Sequence, residues 1–347
     1  MRQYQKLAIV VFSAVTLFAG PALAKPWAIV IHGGAGVIER KDLTPQTEAA
    51  YRAAMARAVA TGSAVLDKGG TAQDAVEAVI RELEDDPLFN AGRGAVFTAD
   101  GQNSLDAAFM DGATLKAGAV AGVTRTRHPI SLARAVMEKS KHVMLVGAGA
   151  DAFSVSAGLE QAEPSWFFTE RRWVQLVKAL TEMGLPIPAR PAGVSAPQAF
   201  TPIPDDRKFG TVGVVALDTS GNIAAGTSTG GTTAKRWGRV GDTPVIGAGT
   251  YAANDSCAVS ATGTGEYFIR LTVAREICAL VQYRGMTLQA AADEVIQTRL
   301  TALGGDGGII ALTPDGQLAW SFNTPGMYRA RAAQGQPAVI SIYKDEP

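Results

Sequence analysis

The segment Arg207-Lys208-Phe209-Gly210-Thr211-Val212-Gly213-Val214-Val215-Ala216-Leu217-Asp218 decides how the chain is read. An aperiodic stretch, residues 185–209, runs into it, with prolines at 186, 188, 191, 197, 202 and 204. An apolar run, 212–217, leaves it and reads as a buried strand. At the junction a single Thr follows a Gly. A threonine that opens a strand is ordinary β chemistry. A threonine released as a new N-terminus would carry a hydroxyl nucleophile and, in its own amine, the base that activates it. On the second reading residues 185–209 are a mobile linker, of the kind that is cut easily. Gly210 is expected at the cut because glycine reaches backbone angles closed to other residues.

C-terminal to this junction, 212–217 and 223–228 read as a β-hairpin joined by Thr219-Ser220-Gly221-Asn222. The hairpin delivers Thr227-Ser228-Thr229-Gly230-Gly231 to one strand end. Lys235 and Gly238-Arg239-Val240-Gly241-Asp242-Thr243-Pro244 follow, then Thr262-Gly263-Thr264-Gly265-Glu266. Helices are predicted over 266–282 and 288–303, and strands over 308–312, 318–322 and 339–343.

N-terminal to the junction, 26–32 reads as a buried strand and Gly33-Gly34-Ala35-Gly36 as a tight turn. Its spacing is not G-x-G-x-x-G, so a dinucleotide site is not indicated. Thr44 caps a helix over 47–66 with Pro45 at its first position. Thr71 caps a second helix, with Asp74 three residues on. Ala72, Ala75, Val76, Val79, Ile80 and Leu83 share one of its faces. Strands are predicted over 95–98, 104–110, 118–123 and 142–146, and helices over 131–139 and 170–183. Helices outside stacked sheets are what this order suggests.

Composition limits the partners. The 347 residues are 47% hydrophobic, with 32 basic against 32 acidic side chains, which suits a large core and not a disordered chain. With no long basic run, nucleic acid is not an expected partner. Residues 1–24 read as a signal peptide: Arg2 and Lys6, then an apolar run over 7–19, then Ala22-Leu23-Ala24 as a cleavage site. The apolar run is shorter than the roughly 20 residues a membrane span needs. The mature protein is therefore expected to be periplasmic or secreted, with no membrane association after signal removal. Cys257 and Cys278 make no disulfide framework and are expected as buried free thiols, although export would permit one bridge. His32, His128 and His142 are scattered, which argues against a His/Cys metal site.

The hydroxyl- and glycine-rich turns of the C-terminal part suggest chemistry when taken together. Arg239 and Asp242 would ordinarily be a surface ion pair of little consequence. In one pocket, the guanidinium suits an α-carboxylate and the carboxylate suits an α-ammonium. Backbone N–H groups at a helix start would stabilise an oxyanion.

The motifs HGGAG at 32–36, LFNAGRGAVFT at 88–98, LDAAFMDG at 105–112, GTVGVVALD at 210–218, TSTGG at 227–231, GRVGDTPVIGAGTYA at 238–252 and TGTGE at 262–266 stand in order along the mature chain. In this series the chain resembles the plant-type L-asparaginase/isoaspartyl peptidase family of N-terminal-nucleophile hydrolases.

That resemblance implies an α+β fold, a four-layer αββα sandwich. It implies a precursor that cuts itself between Gly210 and Thr211 into an α subunit, 25–210, and a β subunit, 211–347, folded as one domain. Two such αβ units are expected to form a homodimer. By motif, Thr211 is the nucleophile and Thr229 supports it. Arg239 and Asp242 bind the free amino-acid end, Thr262 and Gly263 form the oxyanion hole, Gly265 lines the pocket and Asn90 lies near the nucleophile. No cofactor is implied for catalysis. A structural Na⁺ is implied on the backbone of Leu83, Glu84, Asp86, Phe89, Ala91 and Arg93, although Asp86 and Arg93 carry charges where many members do not. The substrates implied are L-asparagine and β-aspartyl dipeptides. A glycosylasparaginase-type hydrolase and a non-catalytic periplasmic amino-acid-binding protein are the alternatives.

Overall fold

The computed structural model describes residues 25–36, 38–194 and 210–347. The expected signal peptide, 1–24, residue 37 and residues 195–209 of the expected linker lie outside them. In chain order the elements are β1 (Ala28–Gly36), α1 (Pro45–Asp67), α2 (Ala72–Asp85), β2 (Leu105–Asp111), β3 (Ala117–Val123), α3 (Pro129–Lys139), β4 (Met144–Val146), α4 (Gly147–Ser156), α5 (Pro164–Phe167) and α6 (Glu170–Glu182). After the junction come β5 (Val212–Leu217), β6 (Ile223–Thr229), β7 (Thr250–Ala252), β8 (Ala258–Gly263), α7 (Gly265–Leu271), α8 (Val273–Arg284), α9 (Leu288–Asp293), β9 (Gly307–Leu312), β10 (Leu318–Phe322), β11 (Gly326–Ala333) and β12 (Val339–Tyr343).

Strand alternation builds the layers. One sheet has eight strands in the order β12-β11-β1-β5-β6-β2-β3-β4, and the other has four in the order β10-β9-β8-β7. Ile29 and Ile31 of β1 and Val212 and Val214 of β5 face Met55, Val76, Val79 and Ile80 of α1 and α2. The intervening Val30 and Val215 face the second sheet and meet Ile310 and Leu312. This is the period-two pattern of a strand buried on both faces. The outer face of the second sheet, with Val259 and Ile309, is covered by Ile277 of α8 and by Val295 and Ile296. The result is the αββα sandwich. Burying one Val or Ile side chain contributes about 1.5–3 kcal/mol.

The helix starts follow their caps. Thr44 accepts a hydrogen bond from Thr47 N at the start of α1, and Thr71 with Asp74 forms a complete capping box on α2. The face of α2 that carries Ala72, Ala75, Val76, Val79, Ile80 and Leu83 is buried.

Several local expectations are corrected. Gly33–Gly36 is not a turn: β1 runs on through Gly36 beside β11, with a bulge between His32 and Gly34. Residues 95–98 make isolated bridges, Phe97 with Asn103 and Thr98 with Lys235, and no strand. The helix expected over 266–282 is two helices, because Thr272 sits in the left-handed region at φ 47° and breaks it. The last turns of the 288–303 helix widen into a π-helix from Glu294 to Leu300. Cys257 and Cys278 are not free thiols but a buried disulfide with an S–S distance of 1.92 Å, tying the start of β8 to α8. Their 21-residue separation carries no sign that strand and helix bring them together. The first part of the linker folds back on α6, where Arg190 grips Glu170 at 2.7 Å through both guanidinium ends.

Candidate active site

Thr211 stands at the head of β5, in the middle of the large sheet, and β6 ends beside it at Thr229. The Thr211 hydroxyl donates to Thr229 Oγ1 at 3.1 Å, and Thr229 Oγ1 donates to the carbonyl of Gly210 at 3.2 Å. Gly231 N donates to the same Thr229 oxygen at 3.0 Å. Both threonines are buried. The Gly210 carbonyl is therefore hydrogen-bonded by Thr229, and the Thr211 hydroxyl bonds to the same Thr229 oxygen.

Gly210 is needed here for space. A Cβ on it would stand 2.6 Å from Asn90 Cβ, so the close approach of Asn90 leaves no room for a side chain. Asn90 locks the neighbouring turn: its amide donates to Gly231 O at 2.7 Å, its side-chain oxygen accepts from Val96 N at 2.9 Å and its carbonyl accepts from Gly230 N at 3.0 Å.

The recognition side is built differently. Arg239 and Asp242 do not pair. Arg239 reaches Glu266, its Nε and Nη2 donating to the two carboxylate oxygens at 2.9 and 3.0 Å. That bond holds the Glu266 carboxyl below the usual carboxylate range. Asp242 is buried, and its Oδ2 has no hydrogen-bond partner. Burial pushes its pKa up to about 7. Gly265 packs directly on Asp242, where a Cβ would lie 2.8 Å from both its N and Oδ1. Thr262 and Gly263 end β8 beside Gly308 and Gly307 of β9, and the Thr262 hydroxyl accepts from Ala35 N at 3.4 Å.

Gly210, Thr211, Thr229, Arg239, Asp242 and Gly263 thus surround a single cavity. Its volume is about 10 Å³ with Gly210 joined to Thr211, room for about one water. The carbonyl-rich stretch from Leu83 to Arg93 does not line this cavity and bears on it through Asn90.

Three features near the site carry no assigned role in the sequence. The first is Glu266, the exposed partner of Arg239. Lys235 and Asp106 form a buried pair beneath Thr229, with Nζ and Oδ2 3.6 Å apart, and Asp106 sits opposite Thr229 across β2 and β6. Burial lowers the Lys235 ammonium's pKa and raises that of the Asp106 carboxyl. A carboxylate inside the apolar run 105–110 was the signal, since such a group is buried only with a partner. His32 Nε2 lies 3.0 Å from Ser260 Oγ, which continues to Thr227 at 2.7 Å and on to Thr250 at 2.7 Å. Burial lowers the His32 pKa to about 3, so the imidazole is neutral.

An αββα sandwich with a hydroxyl pair at the head of a central strand defines a hydrolase of the N-terminal-nucleophile class. The chain belongs to the asparaginase family, whose sequence profile matches residues 25–342. It is 48% identical over 318 residues to an isoaspartyl peptidase of Escherichia coli (strain K12), covering 92% of this chain and 96% of that one. It is 44% identical to a putative isoaspartyl peptidase/L-asparaginase of Dictyostelium discoideum, covering 92% and 99%. It is 42% identical to a plant-type L-asparaginase of Pyrococcus furiosus, covering 89% and 97%.

Proposed function

We propose that this chain is an autoprocessing amidohydrolase that releases L-aspartate from L-asparagine and β-aspartyl dipeptides. The observation that carries the reading is the relay Thr211 Oγ1 to Thr229 Oγ1 to Gly210 O. In the precursor, Thr211 Oγ1 attacks the Gly210 carbonyl and the peptide C–N bond breaks, leaving an ester. The C–N cleavage frees the Thr211 amine, and water then splits the ester, releasing the Gly210 carboxylate and the Thr211 hydroxyl. Loss of the link to Gly210 opens the narrow cavity to an amino acid. In the mature enzyme the free amine takes the hydroxyl proton, and Oγ1 attacks the side-chain carbonyl of the substrate. The backbone at Thr262 and Gly263 faces the developing oxyanion. Ammonia or the peptide amine leaves, and water releases aspartate from the acyl-enzyme. Arg239 takes the α-carboxylate and Asp242 the α-ammonium.

Export after Ala24, a homodimer of αβ units and a structural Na⁺ complete the proposal. The 83–93 backbone fits a hard cation by its donor chemistry. Cβ atoms at Gly92 and Gly94 would lie 2.3 Å from Glu84 O and 2.0 Å from Phe89 O, so these glycines let carbonyl oxygens crowd inward. The ion would brace the loop that holds Asn90 and takes no part in the chemistry.

Denaturing gel and intact mass of the purified protein, with asparagine and β-Asp-Leu assays, test this reading. Two fragments meeting at 210/211 and turnover of both substrates are expected. A single inactive chain that binds amino acids would return the protein to the binding-protein alternative.

A further inference from the structure

The turn that leads into Arg239 is unusual. Trp237 has φ 56° and Gly238 φ 67°, and Arg239 N donates to Arg236 O at 3.0 Å, which makes a type I′ turn. Its first central position favours Gly, Asn or Asp, and a bulky side chain there is strained. Packing does not explain the tryptophan, because it is 90% exposed. The Arg236 guanidinium lies over the indole, 4.2 Å from the ring centroid. Strain held in place beside a substrate-binding residue is a mark of function.

Trp237 forms one wall of a cavity of about 630 Å³, with Val146, Val240 and Ala121 among its other apolar walls. Arg239 lines this cavity and also the one that holds Thr211, so the two adjoin at its side chain. Lys235 also lines it, with its Nζ donating to Ser104 O at 2.8 Å. Arg236 makes no ion pair among the described residues. Asp100, an acidic residue of the lining, accepts a hydrogen bond from the Thr98 hydroxyl.

We propose that this cavity is the subsite for the amine-side residue of a β-aspartyl dipeptide, and that it prefers an apolar side chain with a free carboxylate. The proposal rests on the hydrolase reading and names the substrate class of that same site. A β-aspartyl dipeptide carries two carboxylates. Arg239 takes the one on the aspartyl end, and Arg236 is the exposed cation placed for the other. The apolar side chain lies on Trp237, Val240 and Val146. Asparagine, whose leaving group is ammonia, has nothing to put in this cavity.

The test is kcat/KM for asparagine, β-Asp-Leu and β-Asp-Leu amide in the parent, Trp237→Ala and Arg236→Ala proteins. The ratio of β-Asp-Leu to asparagine does not depend on the fraction of protein that is folded. It should fall about tenfold in Trp237→Ala, the effect of losing apolar contact in a pocket. Arg236→Ala should lose the parent's preference for the dipeptide over its amide. Unchanged ratios in both variants would overturn the subsite while leaving the hydrolase intact. A Trp237→Ala protein that turns monomeric with its ratio unchanged would assign the face to a second copy of the chain. A parent that cleaves neither substrate would overturn the hydrolase reading and the subsite with it.

Discussion

The two sides of the cavity differ in how complete they are. On the nucleophile side the two central hydroxyls are engaged: Thr211 bonds to Thr229, Thr229 to Gly210 O and Gly231 N, and Asn90 clamps the turn beyond. On the recognition side Asp242 keeps an unpartnered buried oxygen, and Arg239 is held by Glu266 at the surface. A buried polar group without a partner costs free energy, and that cost is recovered when a ligand supplies the missing charge. The first side has its hydrogen bonds in place before substrate arrives, and the second keeps a group that substrate can satisfy. The comparison predicts three kinds of damage.

The largest effect belongs to Thr211→Ala, which removes the one group that both maturation and turnover require. The variant should stay a single chain and lose about 10⁴-fold or more in kcat, as nucleophile removal does in related mechanisms. Thr211→Ser should still be cut and retain activity, because the hydroxyl remains and only the methyl that restricts χ1 is gone. A denaturing gel with N-terminal sequencing of the smaller band checks this. If Thr211→Ala splits at 210/211, the nucleophile side is misassigned.

Next in size is Arg239→Ala. The guanidinium belongs to the recognition side, so self-cleavage should proceed while KM for asparagine rises. Loss of a charged hydrogen bond costs about 1.5–3 kcal/mol, or roughly 10- to 150-fold. An uncut Arg239→Ala chain would erase the division between the two sides, and an unchanged KM would leave Arg239 a surface cation bound to Glu266.

The same division explains what the sequence could show. The nucleophile side was legible because it is local: a Gly-Thr junction, a hairpin and a TSTGG turn lie within about twenty residues of one another. The outer helices were legible through their caps and apolar faces, which depend only on nearby residues. The groups that complete the site come from far along the chain. Glu266 reaches Arg239 from 27 residues away, and Asp106 meets Lys235 from the other side of the 185–209 linker. No spacing rule spans such distances. Thr272 shows a different limit, because a residue that tolerates a helix gives no warning of a left-handed break at φ 47°. The misread Gly33–Gly36 shows a third. Glycines that signal a turn in isolation are here strand residues, Gly34 and Gly36 paired with β11 and Gly33 at the bulge.

The smallest effect is a pH dependence confined to the recognition side. Asp242 has a folded-state pKa near 7, raised by burial from an ordinary value of 3.8. Arg239 pulls it down, while Glu266 and Asp106 push it up. A carboxyl raised in this way contributes most to the stability of the empty enzyme below its unfolded pKa, and that contribution is lost as pH rises through about 7. Substrate binding has the opposite slope, because only the ionised carboxylate can hold the α-ammonium. KM for asparagine should therefore rise as pH falls below 7, approaching about tenfold per unit. The Thr211 amine, an α-amino group with an ordinary pKa of about 7.7–8.0, must also be unprotonated to act as base. Its titration appears in kcat, whereas that of Asp242 is suppressed in the complex by the bound ammonium and appears in kcat/KM. In Asp242→Asn the KM should be high and flat between about pH 5.5 and 8, with the acid limb of kcat retained. Steady-state kinetics across that range separate the two groups. A KM in the parent that does not change with pH would mean that Asp242 is already ionised in the empty site, and that the recognition side, like the nucleophile side, is complete before substrate arrives.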